Sequence, residues 1–175
     1  DSAGQQIAPH VAVANDGRFV VVWQDDTDEN EFFEIKARGF ESNGSQRFSQ
    51  RTVNTRVRGQ QMAPRIAIAP DCFFVVVWED DRDGDGFFQI RMRGFNHDGT
   101  ERWSERQVNV RSSGQRRPQI AMGPFGDFIV VWEDDAGRDG LFTDPHASLY
   151  VRRQRKVLRA HGQRRQRRQP DAVRG

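Results

Sequence analysis

Three times along the chain, a run of aromatic and β-branched residues passes straight into an acidic loop. The runs are FVVVWQDDTDEN at 19–30, FFVVVWEDDRDGDG at 73–86 and FIVVWEDDAGRDG at 128–140. A short apolar run of this composition, bounded by turn residues, predicts a strand buried on both faces. It is too short and too β-branched for a core helix. Ahead of each run a proline-led segment alternates large with small: Val11-Ala12-Val13-Ala14, Ile66-Ala67-Ile68-Ala69 and Ile120-Ala121-Met122-Gly123. Period two with a small-residue face predicts a strand where neighbouring sheets crowd together. After the acidic loop, Phe33, Ile35 and Ala37 alternate with Glu34, Lys36 and Arg38, as Phe88, Ile90 and Met92 do with Gln89, Arg91 and Arg93. Hairpin dipeptides follow, Asn43-Gly44 and Asp98-Gly99, and then a polar fourth strand over 47–54 and 102–109.

The pattern is a tandem repeat. Its units open at Gly4, Gly59 and Gly114, 55 residues apart, a spacing that suits propeller blades. Polarity rises from the second strand to the fourth, as in a sheet running from a packed centre to solvent. The sequence therefore predicts an all-β fold of β-propeller-type repeats, with four-stranded antiparallel blades. Repeat one spans 4–58, repeat two 59–113 and a degenerate repeat three 114–161. In the third, Leu149–Arg152 and Lys156–Leu158 are the expected last strands. A basic tail, 162–175, contains Pro170-Asp171-Ala172-Val173, similar to the opening of a fourth unit. Three blades are too few to close a ring. The expectation is an open arc, completed by further blades of a longer parent chain or by self-association. The start at Asp1, partway into a repeat phrase, points the same way.

Composition changes the picture in one respect. Hydrophobic residues make up 35% and charged ones 30%, which suits thin β-layers with a large polar surface. The net charge of +2 conceals a division. Residues 1–150 carry 17 Lys/Arg against 24 Asp/Glu, and residues 151–175 carry 10 against 1. The repeat body is acidic and the tail basic. The tail lacks the interleaved aromatics that stack on bases, so it reads as a disordered terminus folding back on the acidic body rather than a nucleic-acid binder. Cys72 is the only cysteine, so no intrachain disulfide forms. No apolar run approaches a membrane span, and there is no signal-peptide pattern.

The candidate chemistry lies in the acidic loops. Asp81-Arg82-Asp83-Gly84-Asp85-Gly86 fits D-x-D-x-D-G, a spacing that turns several carboxylates onto one point for calcium. The carbonyl of Phe87 can add an oxygen. Asp26, Asp28 and Asn30 are the equivalent oxygen donors in repeat one, and Asp134, Asp135 and Asp139 form a respaced set in repeat three. An EF-hand would place glutamate at the twelfth position, where this chain has Met92. The competing reading is a solvated acidic loop. Mutual repulsion of close carboxylates favours the cation. His10, His97, His146 and His161 show no metal-ligand spacing, and no nucleophile motif or phosphate loop is present. Asn96–Trp103 is faintly similar to the Asp-box hairpin of sialidase-type propellers, which is a structural turn. A sialidase-like site would also need an arginine cluster and a tyrosine nucleophile, and Tyr150 is the sole tyrosine. Trp23, Trp78 and Trp132 read as inter-blade packing before sugar-stacking platforms.

The recurring phrase P-x-[IV]-A-x-x-x-D-G-x-F-V-V-V-W-x-D resembles the blades of bacterial secreted and surface tandem-repeat proteins. Those blades are propeller-like, in the style of the FG-GAP repeats of integrin α chains, and the resemblance covers residues 4–144. The integrin pattern would put an acid at the ninth loop position, where Gln89 stands. The resemblance implies an extracellular or cell-surface setting, with calcium binding and adhesion. The function expected is a non-enzymatic binding or scaffold segment, calcium-stabilised, with a protein or glycan ligand. A propeller lectin and, behind it, a glycosidase-like propeller fragment are the alternatives.

Overall fold

The computed structural model describes residues 4–110, 114–135 and 148–152. They form three antiparallel meanders, with no helix among the described residues. The first sheet is β1 (Gln6–Val13), β2 (Phe19–Asp25), β3 (Glu34–Phe40) and β4 (Gln46–Thr52), hydrogen-bonded in that order. The second repeats it with β5 (Gln60–Ile68), β6 (Phe74–Asp81), β7 (Gln89–Phe95) and β8 (Glu101–Gln107). The third has β9 (Gln115–Met122), β10 (Phe128–Asp134) and β11 (Ser148–Arg152), which pairs with β10 from Phe128↔Arg152 to Trp132↔Ser148. The expected strand at 156–158, the tail at 162–175 and Asp139 lie outside the described residues.

The repeat-opening glycine has a steric cause. Gly4 and Gly59 take φ of +74° and +71°, and a Cβ there would fall 1.7 and 1.9 Å from the carbonyl oxygens of Asp26 and Asp81. No side chain fits, so glycine is fixed where β1 and β5 start beside their acidic loops.

The sheets lie face to face, with β5 flanked by β1 and β9. Each sheet has a front and a rear. The rear of the first gives Val20, Val22, Ile35 and Ala37 to one core, which the front of the second completes with Ile66, Phe74, Val76 and Trp78. The next core repeats the scheme one blade on, with Val75, Val77, Ile90 and Met92 against Phe128, Val130 and Trp132. Strand β6, held between two neighbours, is buried at all eight positions. Here the sequence expectation needs correcting: β2 and β10 are buried on one face only, and Val21 is half-buried while Ile129 is 44% exposed. The cause is position, since each outer sheet has a neighbour on one side alone.

A polar latch crosses each seam. Every inner strand carries a bulge, with Ala8, Ala63 and Arg117 at φ of 51°, 51° and 52°. The Ala63 N–H donates to Gln24 Oε1 of the preceding sheet at 2.9 Å. The Arg117 N–H donates to Glu79 Oε1 at 2.6 Å. Both acceptors sit one residue after the repeat tryptophan. Backbone bonds from Gln61 N to Phe33 O and from Gln115 N to Phe88 O run beside them.

Candidate functional site

Gln6 lies opposite Asp25, and Gln60 opposite Asp81. The acidic loops after β2 and β6 therefore share one end of the sheets with the starts of the inner strands. In the second blade, Asp81 is buried at the end of β6, and Asp83 and Asp85 stand exposed on the loop. One carboxylate oxygen from each lies within 4.8 Å of the others. The loop is shaped by its own backbone. Gly84 N–H donates to the Asp81 carbonyl at 3.1 Å, Gly86 N–H to the Asp81 carboxylate at 3.2 Å, and Phe87 N–H to Asp85 Oδ1 at 2.8 Å. Burial pushes the Asp81 carboxyl above its ordinary range, and the charges of Asp85 and Asp83 add to this against the pull of Gly86 N–H. The Phe87 carbonyl accepts from Gln89 Nε2 at 3.1 Å, which leaves its second lone pair open.

The one cation in the loop faces elsewhere. Arg82 pairs with Asp80 at 2.6 Å and also with Glu105. Burial alone would raise Glu105, yet Arg82 and the N–H and hydroxyl of Thr55 bring it below the ordinary glutamate value. Thr55 belongs to the link between the first two blades, so this network fastens the loop to the seam. The three carboxylates are left facing one another, a donor set that suits a hard divalent cation.

Repeat one differs. Asn30 N–H donates to Asp26 Oδ1 at 3.0 Å, Asn30 Nδ2 to Asp28 Oδ2 at 2.7 Å, and Asn30 Oδ1 accepts from Phe32 N–H at 2.7 Å. Asn30 thus holds both aspartates, Asp26 through its backbone N–H and Asp28 through its side-chain amide, and the loop closes through its own hydrogen bonds. In the third repeat Asp134 and Asp135 are buried, and Asp134 accepts from Gln115 Nε2 at 3.0 Å. His10 is half-buried on β1, where Ile66 N–H donates to its Nδ1 at 3.4 Å. Burial, then Arg65, lowers its pKa.

Trp78 and Trp132 lie in the two cores. Trp23 lies half-buried on the front of the first sheet, lining a groove of about 600 Å³ with Val21, Asp25, Arg38 and Gln50. Sequence reasoning missed the seam acceptors Gln24 and Glu79. Their signal was a polar residue recurring directly after each tryptophan inside an otherwise apolar strand. It also missed a cross-strand pair of buried carboxylates, Asp25 and Glu34, with Lys36 Nζ at 4.0 and 3.3 Å from them.

No family model and no curated protein matches the chain, so the integrin-style repeat finds no support beyond its phrase. Among solved structures the chain is similar to the endo-arabinase of Bacteroides thetaiotaomicron, with a TM-score of 0.50 and 12% identity over 83% of this chain. The chain spans about half of that enzyme, 55% of its length. At this identity the likeness establishes the fold, an all-β arrangement of propeller-like blades. No described helix is long and apolar enough to cross a membrane.

The expected non-enzymatic scaffold is corrected by the same finding, because the fold neighbour is a propeller-type glycosidase. The expectation had a physical flaw. A lone tyrosine and a missing arginine cluster count against sialidase chemistry only. Most glycosidases work with two carboxylates, and this chain is rich in those.

Proposed function

We propose that the chain is part of a propeller-type glycosidase that acts on a polysaccharide, with the acid-bearing loop end as the face that meets the polymer. The likeness of its three consecutive sheets to an endo-arabinase carries this reading. Asp25 and Glu34 are the first carboxylates to test, being cross-strand neighbours with a lysine at hand. A polymer too large to cross a membrane would put the protein outside the cell.

The second blade supplies a substitution that the fold tolerates, because Gln89 pairs with Asp80 as Glu34 pairs with Asp25. Incubation with arabinan and other polysaccharides, read by reducing-end release, should show turnover that Glu34→Gln abolishes while the circular dichroism stays unchanged. Turnover surviving in Glu34→Gln removes this carboxylate pair. No release from any polymer removes the glycosidase reading.

Calcium at Asp81, Asp83, Asp85 and the Phe87 carbonyl belongs to the same proposal, as a brace for the loop. It is supported by the gathering of three carboxylates within 4.8 Å. A cation bound only by the folded state stabilises it by about 2.7 kcal/mol at a hundredfold excess over its dissociation constant. The melting midpoint should rise with calcium and fall back with chelator, and Asp83→Ala should erase the difference. Equal midpoints in the unmutated chain would dismiss the cation.

A further inference from the structure

The two outer faces of the arc are the two halves of one seam. On the front of the first sheet, Val11, Val13, Phe19, Val21, Trp23 and Phe40 occupy the positions that Ile66, Ile68, Phe74, Val76, Trp78 and Phe95 hold in the second. The second set is packed into the core between blades. The first set is open, with Val11 at 52% and Val13 at 61% exposed. On the rear of the third sheet, Ala121, Ile129 and Val131 repeat Ala67, Val75 and Val77, and there Ala121 and Ile129 are exposed. The polar latch is divided the same way. Ala8 repeats the bulge of Ala63 and Arg117 on the open front. Glu133 stands on the rear where Gln24 and Glu79 accept a bulge N–H, and it forms an exposed ion pair with Arg117 at 3.2 Å.

We propose that the front of the first blade docks onto the rear of the third blade of a second copy of this chain, with Glu133 of one copy accepting the Ala8 N–H of the next. The occupant follows from the internal seams, where a front of this composition meets a rear of this composition twice. Both halves are carried by every copy. The contact is heterologous, so copies join head to tail and either close a ring or continue. The front also carries Asp25 and Glu34, so docking would draw the proposed carboxylate pair into the seam. Sedimentation reads association and reducing-end release reads hydrolysis, so the failure of one is distinguishable from the failure of the other.

Sedimentation of the full chain over a range of concentrations tests it, using Val13→Asp and Ile129→Asp, both at surface positions of the single copy. The unmutated chain should exceed its 20.2 kDa monomer mass. Each variant alone should be monomeric, because one of its two faces is blocked. Mixed, they should form a 1:1 pair through the intact front of one and the intact rear of the other. Glu133→Ala should weaken association about tenfold, the loss of one seam hydrogen bond, while Glu133→Gln should retain it, as Gln24 does at the first seam. A chain that stays monomeric at every concentration overturns the proposal. So does an Ile129→Asp variant that still associates, since that would mean fronts meeting fronts.

Discussion

Glu79 and Gln24 accept the same kind of bulge N–H, one with a charge and one without. Burial raises the Glu79 carboxyl above its ordinary value, against the pull of Arg117 N–H and of the Arg116, Arg117 and Arg65 charges. A raised folded pKa means that the stability contributed by the protonated group is complete below the unfolded value of about 4.3. It is lost as pH rises through the folded value. Glu79→Gln keeps the acceptor and removes the buried charge. Its melting midpoint should therefore exceed that of the unmutated chain at pH 7, with the gap closing toward pH 4. A gap unchanged at pH 4 would mean that the charge is not the cause. Arg47 poses a simpler case. Its three guanidinium nitrogens are buried without a hydrogen-bond partner among the described residues, and the Phe48 ring at 5.7 Å is its cation–π neighbour. Arg47→Met keeps the aliphatic stem and removes a desolvated cation, so urea unfolding should shift upward by about 1 kcal/mol. A downward shift would show that the ring contact outweighs desolvation.

Strand β3 and its copy β7 each carry a glycine roofed by an aromatic ring from the next strand. A Cβ on Gly39 would sit 2.0 Å from the Phe48 ring, and one on Gly94 would sit 2.4 Å from the Trp103 ring. Gly94→Ala should therefore expel Trp103 from its seat, costing about 2–3 kcal/mol as an overpacked site and quenching or shifting tryptophan fluorescence. An unaltered spectrum and midpoint would count against the close approach. The strands themselves were legible from period-two alternation and β-branched runs, and the hairpins from Asn-Gly and Asp-Gly. The glycine–aromatic pairing was not, because register shifts between Ala37 and Gly39 and between Met92 and Gly94 break the simple count. The second acidic loop was legible from its alternating aspartates. What the pattern of oxygen donors in the first loop did not disclose is that Asn30, standing where the second loop has Asp85, supplies a donor that ties up Asp28.

Across the whole molecule, three repeats opening 55 residues apart dictated the all-β architecture, and the described sheets follow it closely. Burial of the outer strands was beyond the reach of sequence, because it depends on what stands on either side of a sheet. The proposed carboxylate pair was equally hidden: in repeats this rich in Asp and Glu, acids that could act on a glycosidic bond look the same as acids that cap a strand. Cys72 ties the residue to the whole. It occupies, at φ 63°, the turn position that Gly17 and Gly126 fill in the other blades, and it is buried against the first blade with Sγ 3.5 Å from Asp16 Oδ2. Burial and the Asp16 hydrogen bond push its thiol pKa up. Alkylation by iodoacetamide at pH 8 should therefore be slow in the native protein and fast in urea. Rapid native labelling would show that the first seam opens readily. The bulge-and-acceptor latch has a consequence for lineage as well as for packing. A gene that copied the segment encoding 59–113 in place would lengthen the chain by one sheet that finds walls already shaped for it on both sides.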